Sequence, residues 1–168
     1  MDQVCRMLVA DDSAATRRIV REAAARAHMP VMFHEATTGN ECKEVIVNGH
    51  MHLAFVDIYM PGLSGVEVVL AARQAGVKTF FTLMSAREDD ELFEIARQLK
   101  VYEFLVKPFG VADVQSIIKT YNHLASPLRA LIVDDSETTR KIIQKVLARS
   151  VFRVMLEQTA DGDMSVGL

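Results

Sequence analysis

The chain has little cysteine, little proline, no large excess of one charge, and no apolar run long enough to cross a membrane. Its two cysteines, Cys5 and Cys42, stand far apart and form no CxxC pair, so they are expected to be the reduced thiols of a cytoplasmic protein. The first residues, MDQVCRMLVADD, reach aspartates before the apolar core of a signal peptide could form. A formal charge of −3, with no basic stretch interleaved with aromatics, argues against a direct nucleic-acid surface. His50 and His52 flank Met51 ahead of an apolar run, but no further ligands accompany them. They read as partly exposed histidines where a strand begins, not as a metal site.

What the sequence does contain is an alternation. The short apolar runs RMLVA (6–10), VMFHEA (31–36), HLAFVDIYM (52–60), KTFFTLMSA (78–86) and VYEFLVK (101–107) predict five strands. Stretches of helical period follow each one, at 13–28, 38–49, 64–76, 88–99 and 110–124. In the first, Ile19, Val20, Ala23, Ala24 and Ala27 share one face, Ser13 or Asp12 can cap the start, and Pro30 ends the element. In the third, Gly76 is the predicted stop. Strands that alternate with helices in this way imply an α/β fold, a parallel sheet covered on both faces. Function in such a sheet gathers outside the carboxyl ends of the strands.

The residues at those ends are Asp11 and Asp12, then Asp57, Ser85 and Lys107. Taken singly, each has an ordinary explanation: a helix cap, a strand end, a turn, a loop. Taken together they form a set with a chemistry. Three carboxylates in one crevice repel one another unless a cation is present, and oxygen ligands of this kind suit Mg2+. A lysine and a hydroxyl add donors for an anion, and the combination suits phosphoryl transfer onto an aspartate.

The acidic pair at 11–12, the block DIYMPGLSG at 57–65, MSA at 84–86 and KPF at 107–109 occur in an order and spacing that resemble the receiver domain of two-component response regulators, over about residues 6–124. The resemblance implies a flavodoxin-like, doubly wound five-stranded parallel sheet of order 2-1-3-4-5. It implies that Asp57 accepts a phosphoryl group from a phosphohistidine on a sensor histidine kinase or histidine phosphotransfer protein. Asp12, Asp57 and the Tyr59 backbone carbonyl would hold Mg2+, with Asp11 acting largely through water. Lys107 would pair with phosphoryl oxygens, Ser85 would hydrogen-bond them, and small Ala86 would leave them room. Phe104 stands at the position of the family's switch aromatic, usually a tyrosine. The Lys107–Pro108 peptide is expected to be cis. Tyr59 and Arg87 flank the path of attacking water and would tune the lifetime of the phosphoryl group. The readout face would be the fourth helix, fifth strand and fifth helix.

Such a protein is a phosphorelay switch that catalyses only its own phosphorylation and dephosphorylation. The alternative is a Mg2+-dependent phosphohydrolase with an aspartyl-phosphate intermediate. That class wants a second acid two residues after the nucleophile, where Tyr59 stands. A dinucleotide-binding oxidoreductase fits less well, since DDS and no GxGxxG follows the first strand.

The sequence LIVDDSETTRKII (131–143) restates LVADDSAATRRIV (8–20). One ungapped shift lays Arg6 on Arg129, Asp11 and Asp12 on Asp134 and Asp135, Ser13 on Ser136, and Thr16 and Arg17 on Thr139 and Arg140. The expected organisation is a receiver domain at 1–124, a linker at 125–128, and at 129–168 an incomplete second receiver, a β-α-β fragment plus the start of a further helix. The counterpart of Asp57 would fall beyond residue 168, which leaves half a metal site without an acceptor. The chain thus reads as part of a tandem-receiver protein. A homodimer, through the readout face or through 129–168, is left open.

Overall fold

In the computed structural model, which describes residues 4–87, 90–125, 128–148 and 154–159, the chain divides into two compact units, 1–121 and 122–168. The first unit alternates β1 (Cys5–Ala10), α1 (Ala14–Ala25), β2 (Val31–Ala36), α2 (Gly39–Gly49), β3 (Leu53–Asp57), α3 (Gly65–Gln74), β4 (Phe80–Ser85), α4 (Asp90–Gln98), β5 (Glu103–Val106) and α5 (Val111–Ala125), the last of which runs past the unit boundary. All strand pairs are parallel and the order is β2-β1-β3-β4-β5, the flavodoxin-like order.

The central strand β3, LAFVD, is buried at all five positions, which is why it reads as a continuous apolar run rather than an alternating one. Its side chains still divide by parity. Ala54 and Val56 join Leu8, Phe81 and Leu83 under Ile46 of α2, Val68 and Ala72 of α3, and Ala96 of α4. Leu53 and Phe55 join Met7, Val9 and Met84 under Val20 and Ala23 of α1 and Val114, Ile117 and Ile118 of α5. Burial of a side chain the size of Phe55 stabilises by roughly 2–3 kcal/mol, so these two layers dominate the stability of the unit.

Elements end earlier than their apolar pattern suggests, for local reasons. Helix α1 stops at Ala25 because the Ala27 N–H turns to the Ala24 carbonyl at 3.1 Å, a tightened last turn well before Pro30. Ser13 is its N-cap. Helix α3 opens on a capping box between Ser64 and Glu67, and Gly76 follows its C-cap with φ +74. Among the described residues no helix is long and apolar enough to cross a membrane.

The second unit contains a two-stranded parallel sheet, β6 (Leu128–Val133) and β7 (Val154–Thr159), joined through α6 (Glu137–Ala148). Its register, Leu128 against Val154, carries the same spacing as Cys5 against Val31 in the first unit. Ala125 is still in α5 and Leu128 already in β6, so the linker expected at 125–128 loses both ends to regular structure. The expected start of a further helix after β7 lies outside the described residues.

Candidate functional site

Because every strand of the first unit is parallel, the carboxyl ends of β1, β3, β4 and β5 meet at one edge. Asp11 and Asp12 leave β1 there, Asp57 ends β3, Ser85 ends β4, and Lys107 follows β5. Asp11, Asp12 and Asp57 each offer a carboxylate oxygen, and these oxygens lie within 4.8 Å of one another. Asp11 and Asp57 are buried and Asp12 is exposed.

Lys107 Nζ stands 2.7 Å from Asp11 Oδ2 and 3.1 Å from Asp57 Oδ2. Burial pushes the Asp57 carboxyl above its usual range, against the opposing pull of the Lys107 hydrogen bond and charge and of the Tyr59 N–H. Burial alone would lower the Lys107 ammonium, but the two carboxylates hold it above its ordinary value. Three carboxylates face one ammonium, which leaves two negative charges uncompensated in the crevice. An all-oxygen donor set with that deficit fits a hard divalent cation of the Mg2+ kind.

The walls of the crevice are fixed by the backbone. The Ile58 N–H continues the ladder to the Met84 carbonyl at 2.9 Å, and the Gly65 N–H returns to the Ile58 carbonyl at 3.0 Å. A Cβ at Gly65 would lie 2.4 Å from the Asp57 carbonyl oxygen, so the close approach that seats α3 behind the loop after Asp57 requires glycine. The Lys107 N–H binds the Ser85 carbonyl at 2.7 Å, tying β4 to β5 at the site, and the Lys107–Pro108 peptide is cis.

Ser85 Oγ donates to the Arg87 carbonyl at 2.7 Å and accepts from the Arg87 N–H at 3.1 Å, so the hydroxyl is engaged by its own loop. Ala86 and Arg87 are exposed, as is Tyr59, while Phe104 is half-buried against the α2–α3–α4 side of the core. His50 caps the end of α2 and His52 Nδ1 accepts the Arg6 N–H at 3.1 Å.

One contributor is absent from the set read from sequence. Arg17 of α1 donates from Nη1 to the carbonyls of Asp11 and Asp12 at 2.9 and 3.2 Å. The available signal was its recurrence as Arg140.

Fold and crevice together define a flavodoxin-like α/β domain with an acidic, lysine-bearing site at the carboxyl edge of its sheet. Residues 7–119 match the family described as the response regulator receiver domain, and the chain belongs to that family. It is 26% identical over 175 residues to the DNA-binding transcriptional regulator NtrC of Azospirillum brasilense, an alignment covering 96% of this chain and 35% of that protein. It is 32% identical over 108 residues to protein-glutamate methylesterase/protein-glutamine glutaminase 5 of Myxococcus xanthus, covering 64% of this chain and 31% of that protein. The chain thus spans about a third of the length of these relatives. Among solved structures, the receiver domain of the putative response regulator NarL from Mycobacterium tuberculosis superposes with a TM-score of 0.65 at 25% identity, over 71% of this chain and 98% of that one. The chemotaxis protein CheY4 of Vibrio cholerae, at 21% identity and a TM-score of 0.62 over 71% of this chain and 99% of that one, shares the fold. This membership is consistent with a phosphorylation-dependent signalling switch. Receiver domains are in general phosphoacceptors that bind Mg2+ at an acidic pocket and work with histidine kinases or phosphotransfer proteins.

Proposed function

We propose that Asp57 is the phosphoacceptor of this receiver. The observation that carries the reading is the Lys107 ammonium, which bridges Asp57 and Asp11 across the carboxyl edge of the sheet. A carboxylate oxygen of Asp57 attacks the phosphorus of a phosphohistidine. A P–O bond forms, the P–N bond breaks, and the departing imidazole takes the electron pair and a proton. Asp12, Asp57 and the Tyr59 carbonyl would hold Mg2+, with Asp11 acting through water. When bound, the ion supplies charge neutralisation for the transferring group.

Lys107 is a cation already positioned for the phosphoryl oxygens. Ser85 can exchange its bond to Arg87 for one to the phosphoryl group, with Ala86 leaving room. Phe104 then responds to the space vacated behind Ser85, which alters the face formed by α4, β5 and α5. Tyr59 and Arg87, both exposed at the rim, would set the lifetime of the acyl phosphate; an unchanged dephosphorylation rate in Tyr59→Ala would count against that role. The donor is a sensor histidine kinase or phosphotransfer protein in the cytoplasm, and the domain turns over no other substrate.

We further infer that residues 129–168 begin a second receiver following a first one at 1–124. The support is local geometry. The Ser136 N–H donates to Asp134 Oδ1 at 2.8 Å as Ser13 does to Asp11, and the Thr139 N–H donates to Ser136 Oγ at 3.3 Å as Thr16 does to Ser13 at 3.4 Å. Arg140 donates to the Asp134 carbonyl as Arg17 does to Asp11. Leu131 and Val133 are half exposed where Leu8 and Ala10 are buried, as expected of a strand that among the described residues pairs with β7 alone.

The test is incubation with acetyl phosphate and Mg2+. One phosphoryl group should add to the chain, as read by mass, and borohydride trapping should locate it at Asp57 and nowhere in the second unit. Label that persists in Asp57→Asn would remove the assignment. Steady turnover of an aryl phosphate would favour a phosphohydrolase.

A further inference from the structure

The acid pair at the end of β1 is held from behind by a side chain that binds its backbone carbonyls. Asp12 is exposed, and among the described residues its carboxylate takes no hydrogen bond or ion pair. Its backbone carbonyl is the part that is anchored, by Arg17 Nη1 at 3.2 Å. The same nitrogen holds the Asp11 carbonyl at 2.9 Å. On the other side, the Asp11 N–H is tied to the Ala36 carbonyl of β2 at 3.2 Å, and Asp11 Oδ1 accepts from the Ser13 N–H at 2.8 Å.

Arg17 is itself anchored. Its side chain is only 17% exposed, and Nε faces Glu35 Oε2 of β2 at 3.4 Å, a carboxylate that Arg21 also engages. A planar guanidinium has fixed donor directions, so one anchored to β2 presents Nη1 to the two carbonyls in a single orientation. Part of the arrangement recurs in the second unit, where Arg140 binds the Asp134 carbonyl beside the same serine and threonine contacts. The bond to the first carbonyl of the acid pair is thus common to both units, while the bond to the second carbonyl and the Glu35 anchor are features of the first, Gln158 standing at the counterpart of Glu35.

We propose that Arg17 is the positioning residue of the metal-binding acid pair. It fixes the Asp11–Asp12 backbone so that Asp12 presents its carboxylate to the crevice before any ion arrives. The inference rests on the reading of Asp11, Asp12 and Asp57 as the Mg2+ site. Geometry and charge pull in opposite directions here, which makes the idea testable. As a nearby cation, Arg17 repels Mg2+, so deleting a purely electrostatic Arg17 would tighten binding. As a positioning group, deleting it would loosen binding, and lysine would not replace it despite keeping the charge.

The experiment is calorimetric Mg2+ titration of the unphosphorylated full chain as wild type, Arg17→Lys, Arg17→Met and Asp12→Asn, together with backbone carbonyl 13C shifts of Asp11 and Asp12 in metal-free protein. The expected result is Mg2+ affinity weakened about tenfold in both Arg17 variants, the range seen when outer partners of metal ligands are lost. The two carbonyl shifts should move in both variants before metal is added. Arg17→Lys keeps the charge and carries the test should Arg17→Met not fold. Unchanged affinity in Arg17→Lys, or tighter binding in Arg17→Met, overturns the positioning role while leaving the metal site standing. A wild type that binds Mg2+ no better than Asp12→Asn removes the metal reading itself, and this inference with it.

Discussion

Lys107 reaches from the end of β5 to place its ammonium 2.7 Å from the carboxylate of Asp11, which is wholly buried at the end of β1. The pair closes the sheet's carboxyl edge across β3 and β4, whose ends lie between them. Removing the cation strands a buried charge. Lys107→Met is expected to destabilise the metal-free protein by about 3 kcal/mol, the scale for breaking one side of a buried ion pair. The ammonium and a bound cation would both neutralise the carboxylates of this crevice, so added Mg2+ should stabilise the variant more than the wild type. Urea unfolding of both proteins with and without Mg2+ measures this, and equal gains would argue that the lysine and the ion do not compete.

Two glycines predict opposite sensitivities. A Cβ at Gly65 meets the Asp57 carbonyl oxygen at 2.4 Å and the Ile58 Cα at 3.1 Å, both backbone atoms that cannot swing aside. Gly65→Ala should therefore cost about 2 kcal/mol or more and slow phosphorylation by displacing the strand end that carries Asp57, the proposed acceptor. Gly76 has φ +74 but nothing within 4 Å of its added Cβ. Gly76→Ala should cost only backbone strain, about 1 kcal/mol, with phosphorylation rate unchanged. Thermal unfolding and phosphorylation kinetics of the two variants separate these outcomes.

The five strands were legible because buried parallel strands read as apolar runs bounded by turn residues, with LAFVD the clearest case. The crevice followed from the acids, hydroxyl and lysine at successive strand ends, and the strand order from the family resemblance that those residues carry. What was not legible depends on backbone acceptors and on the path of the chain. The carbonyls of Asp11 and Asp12 that Arg17 binds leave no trace in residue type, and neither does the approach of α3 that makes Gly65 obligatory. Ser85 was read for its hydroxyl, but its bond to the Arg87 carbonyl is a property of the loop's path. Strand ends were over-read for a related reason: Ile58 continues apolar after Asp57 although β3 has ended, because it remains buried.

His52 gives the first unit a pH dependence away from the crevice. Its ring is held below the ordinary histidine value of 6.5, first by burial and then by the charge of Arg6, while Nδ1 accepts the Arg6 N–H. The folded state therefore resists protonation. The neutral ring's contribution is present in full above pH 6.5 and is lost as pH falls through the depressed folded value. His52→Asn keeps an acceptor in place but does not titrate. Below pH 6.5 it should lose less stability than the wild type, with the two curves running parallel above that pH. Denaturation midpoints taken across pH 5–8 check the sign, and parallel curves throughout would exclude His52 as the source.

Arg73 shows how the far end of the sheet is held. Its half-buried guanidinium donates to four carbonyls, Val77 at 2.8 Å, Leu99 at 3.0 Å, and Thr79 and Lys100 both at 3.1 Å, while lying 4.9 Å from the Phe81 ring centroid. It thereby joins the segment before β4 to the turn after α4, where Lys100 adopts φ 55. Burial lowers its pKa, yet arginine stays charged, and four oxygen dipoles take the place of a counter-ion. A lysine has a single ammonium and cannot satisfy four acceptors on two segments. Arg73→Lys should cost about 2 kcal/mol or more, since hydrogen bonds to charged groups are worth roughly 1.5–3 kcal/mol each and only some are remade. The loss should be local as well as global. The Val101 and Tyr102 amides, which bind the Ala96 and Phe81 carbonyls, should exchange faster by a larger factor than the amides of β1. Uniform acceleration at both places would mean that Arg73 supports the whole domain rather than the turn between α4 and β5.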